Sequence, residues 1–164
     1  MVDNTDKFFE YASKYLNGKE LLLAEDLEVV LKAHLLVEEA LDLLINAYVF
    51  NDKKQKDLLD WFNLRFSKKV DLVQFRGLLE DKHIKSIRTM NEIRNKFAHN
   101  LGFKFSDIKP LLNAFCQPYE AKLEKVVEEE HRKEVNEVCR LKFGLCVYYI
   151  LGLILTNVEN KDKK

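Results

Sequence analysis

Apolar residues recur at spacings of three and four almost everywhere along the chain, which predicts helices throughout and no strand. A first helix is expected from Asp6 to Leu16, with Phe8, Phe9, Ala12, Tyr15 and Leu16 inward and Asn17-Gly18 as its stop. A long second helix, Lys19 to Tyr48, would carry Leu27, Leu31, Leu35, Leu41, Ile45 and Tyr48 on its main apolar face. Leu36 and Leu43 lie opposite that face, so this helix is expected to be covered on two sides, by the C-terminal helix or by a partner subunit. A third, Lys56 to Phe66, contains the only tryptophan, Trp61. Ser67 can cap a short element running through Phe75-Arg76-Gly77. Asp81 can cap a longer helix that carries Ile84, Ile87, Met90, Ile93 and Phe97 and closes at His99-Asn100-Leu101-Gly102. Asp107 and Pro110 open another helix, Pro118 punctuates it, and Glu120 to Val158 reads as one helix or two. The polar residues 159–164 are expected to fray, leaving one all-α domain over residues 1–158, a bundle of about five to seven helices.

Composition narrows this picture. The chain has 164 residues, of which 47% are hydrophobic, with only five Gly and two Pro to interrupt helices. A chain of that size buries roughly 70% of its unfolded surface, enough for a core without disulfides or metal. Lys and Arg number 27 and Asp and Glu 27, so bulk charge supplies no grip on nucleic acid or anionic lipid. Cys116, Cys139 and Cys146 fit neither a disulfide framework nor a zinc site, and no signal peptide is visible, so a reducing cytoplasm is the expected setting. The apolar run Phe143 to Leu155 is shorter than the roughly 18 residues that a membrane span needs and reads as a buried helix.

The helix from Asp81 departs from simple amphipathicity. With Met90 as zero, Phe97 falls near about −20°, Ile87 near about +60° and Arg94 near about +40°, inside the apolar arc. A guanidinium in such a place must meet an acid, an anionic ligand or a water-filled cleft. On the second helix His34 and Glu38 share one stripe, one turn apart, which makes Glu38 the natural acid to pair with Arg94 and His34 a candidate core histidine. Charge also collects locally. From Lys82 to Lys109 there are seven basic residues against Glu92 and Asp107, whereas Tyr119 to Glu134 holds six acids against four bases. The field near Arg94 therefore favours phosphate, unless this is only a solvated charged face.

Arg94-Asn95-Lys96-Phe97-Ala98-His99 closes this helix, follows Met90-Asn91-Glu92-Ile93, and is preceded by the long helix carrying His34 to Leu41. The motif resembles the R-x4-6-H signature of the HEPN superfamily of small all-α domains. The wider arrangement, over Glu28 to Phe105, looks like the mannitol-operon repressor family. The resemblance implies a HEPN-like helical bundle, a homodimer and, in many members, metal-independent RNA cleavage with Arg94 and His99 as catalytic residues. On that reading Asn95 orients the phosphate or the imidazole, Glu38 holds Arg94, and His34 and Asn91 support the site. The chemistry suits these residue types, because histidine can take a proton from a ribose 2′-hydroxyl and return one to the leaving 5′-oxygen, while arginine offsets charge on the phosphate. Five residues along an ideal helix leave Arg94 and His99 about 140° apart. They converge only if the helix ends near Ala98 or if a second subunit supplies the other member of the pair.

The repressor-like resemblance implies transcriptional control through a protein partner instead. No helix-turn-helix with an exposed basic recognition helix is visible, so direct binding to duplex DNA is not expected. A third reading makes the motif a structural lock on the bundle. His83 and His131 read as solvated. No metal-ligand pattern, Gly-rich phosphate loop or nucleophile elbow is present, so neither metal nor cofactor is expected.

Overall fold

The computed structural model describes residues 24–49, 64–100, 102–127 and 134–162, together with Glu10 and Ser13, both helical. Of the expected helix Asp6–Leu16 only Glu10 and Ser13 are described. The expected helix Lys56–Phe66 lies outside the described residues up to position 63, Trp61 included; at its end Leu64 and Arg65 are not helical, while Phe66 begins the next helix. The start of the long second helix also lies outside them. Those described form an all-α bundle: α1 Asp26–Tyr48, α2 Phe66–Phe75, α3 Asp81–His99, α4 Lys109–Cys116, α5 Glu120–Val127 and α6 Val135–Asp162. Among the described residues the C-terminal segment holds two helices. 3-10 turns at Phe105–Ile108 and Gln117–Tyr119 lead into α4 and α5.

Helix ends follow local chemistry, with some reassignment of caps. Arg65 and Glu80, both in extended backbone, occupy the N-cap positions of α2 and α3, so Ser67 and Asp81 fall inside the first turns. Helix α2 stops in a Schellman motif: Leu78 N–H donates to Val73 O (3.1 Å) and Gly77 N–H to Gln74 O (2.9 Å). Gly77 adopts φ +62°, a left-handed conformation that a β-carbon disfavours. At the far end of α3, Asn100 donates its side-chain amide to Lys96 O (2.8 Å), satisfying a terminal carbonyl.

The core lies where α6 packs along α1 and where α3 and α4 close the other side. On α1 the buried residues are Val29, Val30, Ala33, Leu36, Val37, Ala40, Leu41, Leu44 and Ile45. This face is rotated from the one expected, with Leu36 buried, Leu35 exposed and Leu31 only half-buried. Four phenylalanines knit the end of α3 into the core: Phe97 on Phe105 (5.2 Å between centroids), Phe105 on Phe143 (5.0 Å) and Phe143 on Phe115 (5.2 Å).

Asp26, 7% exposed, joins three distant segments. It accepts from Phe105 N–H (3.1 Å), Asn136 Nδ2 (2.9 Å) and Arg140 Nε (2.6 Å), and also pairs with a terminal nitrogen of Arg140. The charge is therefore fully met within the bundle. Helix α6 is long and apolar enough to cross a membrane, and half of its most apolar window is buried within the bundle. A core helix of a bundle passes the same test of length and composition.

Candidate functional site

The site is assembled from α1, α2 and α3. The Phe97 contacts fix the end of α3, so the last turn presents its other faces outward. Arg94 is half-buried and Asn95, Ala98 and His99 are exposed. Helix α3 runs unbroken through Arg94 to His99, so within one chain the two side chains diverge by about 140°. Arg94 donates to Asn95 Oδ1 (3.1 Å) and has no carboxylate partner among the described residues.

The expected Arg94–Glu38 pair is therefore not formed. Glu38 instead accepts from Lys69 Nζ of α2 (3.0 Å), which also reaches Asp42 (2.7 Å). Spacing on α1 and α3 alone could not reveal this, since the competing cation arrives on a third helix. A signal existed in α2, where Lys69 interrupts the buried stripe Phe66, Val70 and Val73. Burial alone would lower the Lys69 pKa, but its bonds to Asp42 and Glu38 outweigh that and the net direction is up.

His34 and Asn91 do come together. His34 Nε2 lies 3.1 Å from Asn91 Oδ1, its Nδ1 lies 3.9 Å from Glu38, and the Phe66 ring packs at 4.1 Å between centroids. Burial pushes the His34 pKa down; the Asn91 bond and Glu38 oppose that, while the charges of Arg94 and Lys69 add to it. His34 is thus a buried, hydrogen-bonded core histidine.

His83, read from its lysine neighbours as solvated, is buried. Its Nδ1 lies 2.9 Å from Tyr119 Oη and its ring stacks on Tyr119, while Ser86 Oγ donates to Phe115 O (2.6 Å). The helical wheel carried the signal, since His83 falls about 20° from Met90. Burial pushes its pKa down, with Lys82 and Lys122 adding to that and Glu80 opposing. His131 lies outside the described residues.

These two histidines give acid a route to unfolding. Each has a folded-state pKa below the ordinary value near 6.5, so its contribution is complete above that pH. As pH falls below it, the unfolded chain takes up protons that the native state refuses. We expect the urea midpoint to fall progressively below about pH 6.5, as the unfolding free energy drops by up to about 1.4 kcal/mol per pH unit for each histidine. A midpoint constant from pH 7.5 to 5.0 would contradict the burial of both.

The basic patch is smaller than a count along the sequence suggests. Lys82 pairs with Glu80 (2.8 Å), and Arg88 with Asp71 (2.8 Å) and Gln74 (2.9 Å). Lys85, Arg94 and Lys96 have no carboxylate partner among the described residues. A cleft of about 620 Å³ opens beside the segment after α3, but it is lined by Glu25, Asp26, Glu134 and Glu137 against Lys104 and Arg140. Its net negative charge makes it a poor seat for a polyanion. No cluster of His, Cys, Asp or Glu that could hold a metal occurs among the described residues, and the three cysteines are free and buried.

Comparison with known proteins finds no matching family model, curated relative or solved structure. The functional reading therefore rests on the residues and their geometry.

Proposed function

We propose that this chain is a HEPN-like helical domain that binds single-stranded RNA at the end of α3 and cleaves it without a metal, in the cytoplasm. The observation that carries the reading is Arg94, half-buried in the last turns of α3, bonded to an amide oxygen and met by no carboxylate among the described residues. A guanidinium so placed has N–H donors to offer a phosphate. Asn95 orients it. His99 is exposed at the helix end, where a histidine gains from the negative pole of the helix dipole.

Cleavage proceeds by attack of the ribose 2′-oxygen on the adjacent phosphorus, forming a 2′,3′-cyclic phosphate and releasing the 5′-oxygen as a hydroxyl. The His99 imidazole takes the 2′-hydroxyl proton and an imidazolium returns one to the leaving oxygen, while Arg94 offsets charge on the phosphate. Because the two residues diverge on one helix, a homodimer sets Arg94 of one copy beside His99 of the other. The test is incubation of purified protein in EDTA with structured and unstructured RNAs. Cleavage yielding 2′,3′-cyclic ends, blocked by a 2′-deoxy substitution at the cut site, supports the reading. Failure to cleave any RNA overturns it.

Exposed Leu35 (60%) and Phe75 (87%) favour a second reading, regulation through a protein partner. That reading predicts a complex sensitive to Leu35→Ser or Phe75→Ser and indifferent to His99→Ala.

A further inference from the structure

The solvent face of α3 carries a polar stripe that ends at His99. With Asp81 as zero on the helical wheel, Lys85, Arg88, Glu92, Lys96 and His99 all fall within about 60°, whereas Arg94 lies about 140° away. From Lys85 to His99 the stripe is about 21 Å long. Bonds from α2 fix what stands at its head. Arg88 donates to Asp71 (2.8 Å) and to Gln74 Oε1 (2.9 Å), and Gln74 Nε2 donates to Asp81 (3.3 Å). Phe75, next to Gln74 and one turn from Asp71, is therefore held beside the start of the stripe, and the Schellman turn at Gly77 fixes the backbone that follows. Its side chain adds little to the core, since Phe75 is 87% exposed.

The surroundings of Phe75 are polar. It is the only large exposed hydrophobic residue on α2 or α3 among the described residues, and its neighbours Gln74, Arg76 and Gly77 are exposed as well. An apolar protein pocket is normally met by a cluster of apolar side chains, whereas a lone aromatic face among cations suits a base whose phosphates the cations follow. Arg76, Lys85 and Lys96 have no carboxylate partner among the described residues. Asp71 is held by Arg88 and Lys68, and Asp81 is bonded by Gln74 at the positive end of the helix dipole. From Lys85 onward Glu92 is the one acid on the stripe.

We propose that Phe75 stacks on a base of single-stranded RNA whose backbone follows the α3 stripe, past Lys85 and Lys96, to His99 of the same copy. This rests on the reading of the chain as a binder of single-stranded RNA. It adds a contact remote from the cut and assigns the strand to the copy that supplies His99.

The experiment measures the affinity of the full chain for 2′-O-methylated oligouridylates, which bind without being cut, by fluorescence anisotropy at low salt. Phe75→Ala and Phe75→Leu are each expected to weaken binding of an octanucleotide about tenfold, the order for losing one base stack, while Phe75→Trp retains it. Because Phe75 is exposed, these variants should melt like the wild type. Glu92→Gln should tighten binding about two- to fivefold, the scale for removing one exposed like charge, and Lys85→Ala or Lys96→Ala should each lower the slope of log affinity against log salt by about 0.7. Wild-type affinity in Phe75→Ala overturns the proposal, as does full retention in Phe75→Leu, which a protein pocket would accept and a stack would not. In either case an octanucleotide still bound by the wild type leaves the RNA reading standing. Phe75→Ala that binds RNA like the wild type but loses a protein complex assigns this face to a protein partner and also overturns the proposal. A wild-type protein that binds no oligonucleotide removes the RNA reading and this proposal together.

Discussion

Asp26→Ala is expected to lower the unfolding free energy by about 3–5 kcal/mol, the usual consequence of removing one partner from a buried ion pair. Asp26 is 7% exposed and is bonded by Arg140, Asn136 and the Phe105 amide, so the substitution removes a buried carboxylate that three donors from distant segments share. The loss falls on contacts linking the start of α1 to the start of α6 and to the turn before α4. Urea unfolding followed by circular dichroism measures it. A loss below about 1 kcal/mol, as for an exposed pair, would mean that Asp26 is solvated.

Arg94→Ala is expected to separate stability from activity. Its guanidinium bonds only the neighbouring Asn95 among the described residues, so the melting temperature should stay near that of the wild type. RNA cleavage should fall by about 10²-fold or more, the scale for removing a group that stabilises transition-state charge. A structural lock would give the reverse pattern, a large stability loss with activity tracking the folded fraction. The dimeric arrangement adds an outcome: mixing Arg94→Ala with His99→Ala protein should restore part of the activity, because a mixed pair retains one intact combination.

Much of the fold was legible in the sequence because helix ends are local. Tyr48 ends α1, the Phe75-Arg76-Gly77 run ends α2, and the Asp81 region starts α3, each set by residues within one turn of the boundary. What local pattern could not provide is the partner across the bundle. Asp26 reads as an ordinary acidic residue in a first turn, yet its partners lie 79, 110 and 114 positions away. Likewise the stripe that holds Glu38 on α1 suggests a pair with Arg94 on α3, whereas the cation that bonds it is Lys69 on α2. His83 shows the converse error: its own angle on the helix placed it inward, and two charged neighbours obscured that. At the site, spacing anticipated the divergence of Arg94 and His99, and whether the helix stopped before His99 depended on Asn100, whose side chain caps the helix after His99 and not before it.

The most direct test of the central claim compares wild type with His99→Ala, purified in parallel, on end-labelled single-stranded RNA in EDTA. The account predicts cleavage by the wild type to 2′,3′-cyclic ends and a loss of about 10²-fold or more in the variant, with the two proteins melting alike. Equal cleavage by both proteins, or none by the wild type, would contradict it.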